Sequence, residues 1–82
     1  MCTRLKIINQ TEYPAITVEI DDKPLAKEIL SKECSPTYPI RTGSVIVRIF
    51  QHTGRPFFNL WLAPAPNREN TLVVYPDHAV LL

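Results

Sequence analysis

Only two glycines occur in this chain, Gly43 and Gly54, and they stand apart, so no glycine-rich loop is available to cradle a phosphate. Cysteine is as scarce. Cys2 and Cys34 are too few for a disulfide scaffold and read as free thiols in a reducing compartment. An excess of one charge is missing as well: nine basic and eight acidic residues leave a net charge of +1, which supplies no field to steer the chain to nucleic acid or an anionic bilayer. No apolar run approaches the roughly 18 residues of a membrane-spanning helix. Residues 1–10 alternate charged and apolar positions where a signal peptide needs a basic stretch and then a continuous apolar segment, so the expected location is cytoplasmic.

What the chain has is proline and alternation. Eight prolines spread over 82 residues exclude long helices, because each interior proline removes a backbone donor and clashes with the preceding turn. Between them apolar and polar residues alternate with the period of two that belongs to strands with one face on a core. Leu5 and Ile7 oppose Arg4 and Lys6, and Ile16, Val18 and Ile20 oppose Thr17, Glu19 and Asp21. Residues 24–30 read as a strand after a turn at Asp22 and Lys23, although Lys27 and Glu28 suit a helix equally. Tyr38, between Pro36 and Pro39, fits at most an edge strand. A turn at Arg41, Thr42 and Gly43 leads into Val45, Val47 and Ile49, whose hairpin partner is Phe58, Leu60 and Leu62 across a loop of Thr53, Gly54, Arg55 and Pro56. Residues 72–75 and 79–82 add two short strands. Seven or eight short strands at intervals of about 8 to 12 residues predict an all-β fold, a small immunoglobulin-like antiparallel β-sandwich, as a single domain over residues 1–82.

The order of these features resembles the DUF4397 family. The resemblance is carried by Ile7, Ile8 and Asn9 closing the first strand; Pro14 leading into Ala15, Ile16, Thr17, Val18, Glu19 and Ile20; the turn at Asp21, Asp22 and Lys23; Tyr38, Pro39 and Ile40; Gly43 before Val45, Ile46, Val47 and Arg48; and Thr71, Leu72, Val73 and Val74. It implies an immunoglobulin or transthyretin-type sandwich, a secreted or cell-envelope location and no catalytic residues. Asp22 stands where family members usually carry glycine, and Thr17 where they carry aspartate.

Chemistry is thinly represented. Nucleophilic catalysis needs a nucleophile, a base and an orienting group, and the only candidates are Cys2, Cys34, His52 and His78 with scattered carboxylates. Glu33 beside Cys34 works against a reactive thiolate. A metal site needs three or four ligands, with pairs at short spacing, whereas these four residues lie one to a segment. Asp21 and Asp22 are a hairpin tip rather than the six or more oxygens calcium wants. Asn9, Gln10 and Thr11 spell a glycosylation acceptor, read here as chance. The expectation is a non-enzyme with no cofactor, no metal, no nucleic-acid partner and no small-molecule substrate; Arg41, Arg48 and Arg55 near Phe50, Phe57 and Trp61 are the only hint of nucleic-acid binding.

One surface departs from the ordinary pattern. With Val45, Val47 and Ile49 facing the core, Ile46, Arg48 and Phe50 share the opposite face with Phe57, Asn59 and Trp61. Pairing Phe50 with Phe57 would set Ile46 across from Trp61 and gather four large apolar groups where alternation assigns solvent. The alternatives are a local reversal of the pleat, or cover from Tyr13, Tyr38 or Tyr75. An open patch of this kind marks a binding surface, with Ile46, Arg48, Phe50, Phe57 and Trp61 as its residues and Cys2 and Cys34 as possible crosslinks. The functional expectation is a non-catalytic protein-interaction or assembly module that uses the aromatic face or a strand edge, with self-association as one specific form of it. A small inhibitor or regulator of one macromolecular target is the alternative, and a metal- or ligand-binding protein using Cys34 with His52 or His78 a third reading.

Overall fold

A computed structural model describes residues 2–82. Among them are eight strands: β1 (Arg4–Asn9), β2 (Ala15–Ile20), β3 (Lys23–Leu30), β4 (Tyr38–Pro39), β5 (Val45–Gln51), β6 (Pro56–Leu62), β7 (Glu69–Val74) and β8 (Ala79–Leu81). They form two four-stranded sheets, ordered β4-β1-β7-β8 and β3-β2-β5-β6. No helix among the described residues is long and apolar enough to cross a membrane.

The predicted alternation decides what each strand buries. Leu5 and Ile7 from β1 and Leu72 and Val74 from β7 meet Ile16, Val18 and Ile20 from β2 and Val45, Val47 and Ile49 from β5 in one apolar cluster between the sheets. Each sheet hides one face and leaves the other toward solvent, which is why the two-residue period is so clean in β2 and β5.

The antiparallel expectation fails at one pair. β1 runs parallel to β7, with Arg4 beside Glu69 and Asn9 beside Val74. Parallel neighbours need a long crossover; here it is the intervening chain of β2 to β6, so the first strand is held by the seventh rather than by a hairpin. The other edge of β1 takes residues 33–35 and then β4: Asn9 N–H donates to the Glu33 carbonyl and Ser35 N–H to the Ile7 carbonyl, and β4 pairs at Arg4 and Leu5.

The β2–β3 connection is a two-residue turn in which Asp21 and Asp22 both take positive φ, 51° and 67°, with Ile20 paired to Lys23 across it. Positive φ at both central positions is the primed hairpin geometry, and aspartate is among the few non-glycine residues that tolerate it. Asp22 therefore takes a conformation that glycine more commonly supplies.

β3 is a strand, but its ladder slips between Ile16 and Val18, and Glu28 has φ 55°. This bulge turns both Lys27 and Glu28 outward between the buried Ala26 and Ile29. The helix-like spacing of residues 24–30 is the imprint of that bulge.

Candidate functional site

The β5–β6 hairpin carries the surface singled out above. Its register sets Val45, Val47 and Ile49 opposite Leu62, Leu60 and Phe58 on the core face, and Ile46 and Arg48 opposite Trp61 and Asn59 on the outer face. Trp61 is 73% exposed, the most exposed large apolar side chain among the described residues, while Ile46 opposite it and Phe50 four residues further along β5 are half-buried. Arg48 lies between them and pairs with Asp22 of the β2–β3 turn, Nη1 to Oδ1 at 3.2 Å.

The expected pairing of Phe50 with Phe57 does not form. A register shift between Ile49 and Phe50 brings Pro56 opposite Phe50, because the strand begins with a proline that cannot donate to the ladder. Phe57 is drawn out of the outer-face set: its ring lies 5.2 Å from Tyr13 and 4.7 Å from Phe58, tilted against both, and it packs on the core cluster. The surface is accordingly Trp61, Ile46 and Phe50 around Arg48, without Phe57. Of the three tyrosines considered as cover, Tyr13 and Tyr38 pack on the core cluster and Tyr75 stacks on His78 at 4.6 Å.

The residues considered for chemistry stay apart. Cys2 and Cys34 are free and exposed, Cys34 bridging to Ile8 beside β1. His52 is exposed in the β5–β6 turn. His78 Nδ1 lies 2.6 Å from Asp77 Oδ1 on the surface, a contact that holds the Asp77 carboxyl below its ordinary range. Among the described residues no three His, Cys, Asp or Glu side chains gather to hold a metal ion. Of the arginines named above, Arg41 and Arg48 each pair on the surface with an aspartate of the β2–β3 turn. An open groove of about 340 Å³ lies beside that turn, lined by Ile20, Pro24, Leu25, Ile40 and the Asp21 pair with Arg41.

Asp21 is the polar hinge of this end. Its carboxylate accepts from Arg41 Nε at 2.6 Å and Nη2 at 3.3 Å, and from the Ile46 backbone N–H at 3.2 Å. The arginine hydrogen bond first, and the Ile46 N–H second, hold its carboxyl below the ordinary aspartate range. At mildly acid pH such a group binds fewer protons folded than unfolded, so stability rises with pH there. The contribution is complete above the unfolded value near about 4 and is lost as pH falls through the lower folded value. Asp21→Asn is therefore expected to narrow the difference between urea midpoints measured at neutral pH and at about pH 3; an unchanged difference would show that this carboxylate carries none of the acid sensitivity.

Buried polar side chains tie both ends of β1 to the segments beside it. Asn9 is fully buried. Its Nδ2 donates to the Ile29 carbonyl at 2.8 Å, and its Oδ1 accepts from the Thr11 N–H at 2.9 Å and the Thr11 hydroxyl at 2.6 Å. The glycosylation triplet is thus a structural tie between β1, β3 and the turn before β2, with no amide free for a sugar. Asn70, likewise buried, bonds Ala65 and the carbonyls of Arg4 and Arg68, and Thr3 Oγ1 accepts from the Asn67 N–H.

No protein-family model and no curated protein matches this chain.

Proposed function

We propose that this protein is a non-catalytic interaction or assembly module that engages other protein through the outer side of the β5–β6 hairpin. The observation that carries the reading is Trp61, standing 73% exposed on rigid strand backbone with Ile46 opposite it. Tryptophan and arginine on a rigid scaffold are the side chains that concentrate binding energy in interfaces, and Arg48 stands in the same face. The other face of the hairpin packs on the apolar cluster through Val45, Val47 and Ile49, so turning it over to hide Trp61 would bury Arg48.

The finer fold reading follows the DUF4397 resemblance. Each element that carried it falls on a strand or turn: Ile7 to Asn9 close β1, Pro14 precedes β2, and Thr71 to Val74 lie in β7. The sorting of strands favours its transthyretin-type alternative. An immunoglobulin constant domain puts its first, second, fourth and fifth strands in one sheet, whereas here β1 and β4 share a sheet with β7 and β8.

Trp61→Glu is expected to abolish association, read as mass by light scattering or as retention of a bound protein. The far-UV spectrum and melting temperature should stay within a few degrees of the parent, since an exposed strand side chain contributes little to stability. Undiminished association in that variant would reject the reading.

A further inference from the structure

The sandwich has four open strand edges, and three of them are blunted. β3 carries Lys23, Pro24, Lys27 and Glu28 and a bulge; β4 is two residues long and ends in Pro39; β8 is three residues long. These are the devices by which sheets avoid pairing with other chains. β6 is different: it is seven residues, Pro-Phe-Phe-Asn-Leu-Trp-Leu, without an ionisable side chain, and among the described residues no strand pairs with its outer side. Only Pro56 and the adjoining register shift protect it, at its first residue.

The register tells which backbone groups that edge offers. The Ile46 carbonyl accepts from the Asp21 N–H on the β2 side, and backbone groups alternate direction along an antiparallel strand. Val45, Val47 and Ile49 therefore turn theirs toward β6, where Leu62, Leu60 and Phe58 answer them. The N–H and C=O of Asn59 and Trp61 are left pointing outward.

We infer that β6 pairs antiparallel with β6 of a second copy of this chain, centred on Leu60, so that Asn59 and Trp61 of each exchange backbone hydrogen bonds with Trp61 and Asn59 of the other. The inference rests on the assembly reading above and gives it a partner and a geometry. A second copy fits for three reasons. A two-fold axis makes the strand its own complement. On the inner face Phe58 meets Leu62 of the other copy and Leu60 meets Leu60, which extends an apolar layer whose β6 members are only partly buried in one chain. No like charges oppose along the strand, and a net charge of +1 per chain leaves little long-range repulsion.

Asn59→Pro is the direct test. Its outward N–H is lost while the bonds of β6 to β5 remain, the one setting in which a strand accepts proline. The full chain is expected to show a concentration-dependent rise in scattering mass toward twice 9.4 kDa, and Asn59→Pro to weaken dimerisation by at least about tenfold. Val80→Glu, on the exposed side of β8 in the other sheet, should leave the dimer intact. Hydrogen exchange supplies a readout independent of that variant's folding: the Asn59 and Trp61 amides should slow as protein concentration rises. A mass that stays monomeric at every concentration overturns the inference, as do Asn59 and Trp61 amides that exchange at constant rates. A dimer that survives Asn59→Pro but not Phe50→Glu, which alters the outer face, also overturns it and leaves that face as the association surface, while indifference to Trp61→Glu removes the assembly reading as well.

Discussion

Asn9→Ala is expected to lower stability by about 3 kcal/mol. The side chain is fully buried and serves three partners, the Ile29 carbonyl and the N–H and hydroxyl of Thr11. Alanine would leave those groups in the interior without partners, and each stranded buried group costs roughly 1–3 kcal/mol. A domain of this size has only about 4–12 kcal/mol in total, so the melting temperature should fall by about 12–24 °C. Asn9→Asp keeps the shape but sets a carboxylate oxygen against the Ile29 carbonyl. It should be as damaging at neutral pH and recover partly in acid, when a protonated carboxyl can donate again. A melting temperature within about 3 °C of the parent for Asn9→Ala would show that water or repacking satisfies the freed groups.

Leu72→Ala is expected to cost about 2–5 kcal/mol, the range for emptying a rigid apolar site. Leu72 is fully buried, sits on β7 between β1 and β8, and pairs with Ile7 on one side and Leu81 on the other. A central strand held on both sides cannot collapse into the space it vacates. Urea titration is the measurement, with the midpoint falling at unchanged slope; a loss below about 1 kcal/mol would mean that the two sheets close over the gap.

The strands were legible wherever alternation ran unbroken. β2 and β5 show their core faces directly in Ile16, Val18 and Ile20 and in Val45, Val47 and Ile49, and the pairing of Ile46 with Trp61 followed from counting. Bulges hid what was missed. The slip in β3 gave residues 24–30 a helix-like spacing, and the slip beside Pro56 moved Phe57 from the outer face to the core with Tyr13. Asn9 was within reach, because it continues the phase of Leu5 and Ile7 and so falls on the inward side. It closes the first strand, but its partners, the Ile29 carbonyl and Thr11, lie on other segments that the period of β1 does not record. The parallel pairing of β1 with β7 was not legible at all. A strand's period records which face it buries and not which strand lies beside it.

That pairing sets a timetable for the molecule. β1 is bonded along its whole length to residues that appear some 65 positions later, so during synthesis its apolar face waits while the second sheet, β3-β2-β5-β6, can already assemble from neighbouring hairpins. Contacts so distant along the chain make folding slow, and the layer built on β1 closes only after β7 has left the ribosome. The sheet that holds the uncharged β6 needs no part of β7, so it is the layer free to meet neighbouring chains before the other one closes.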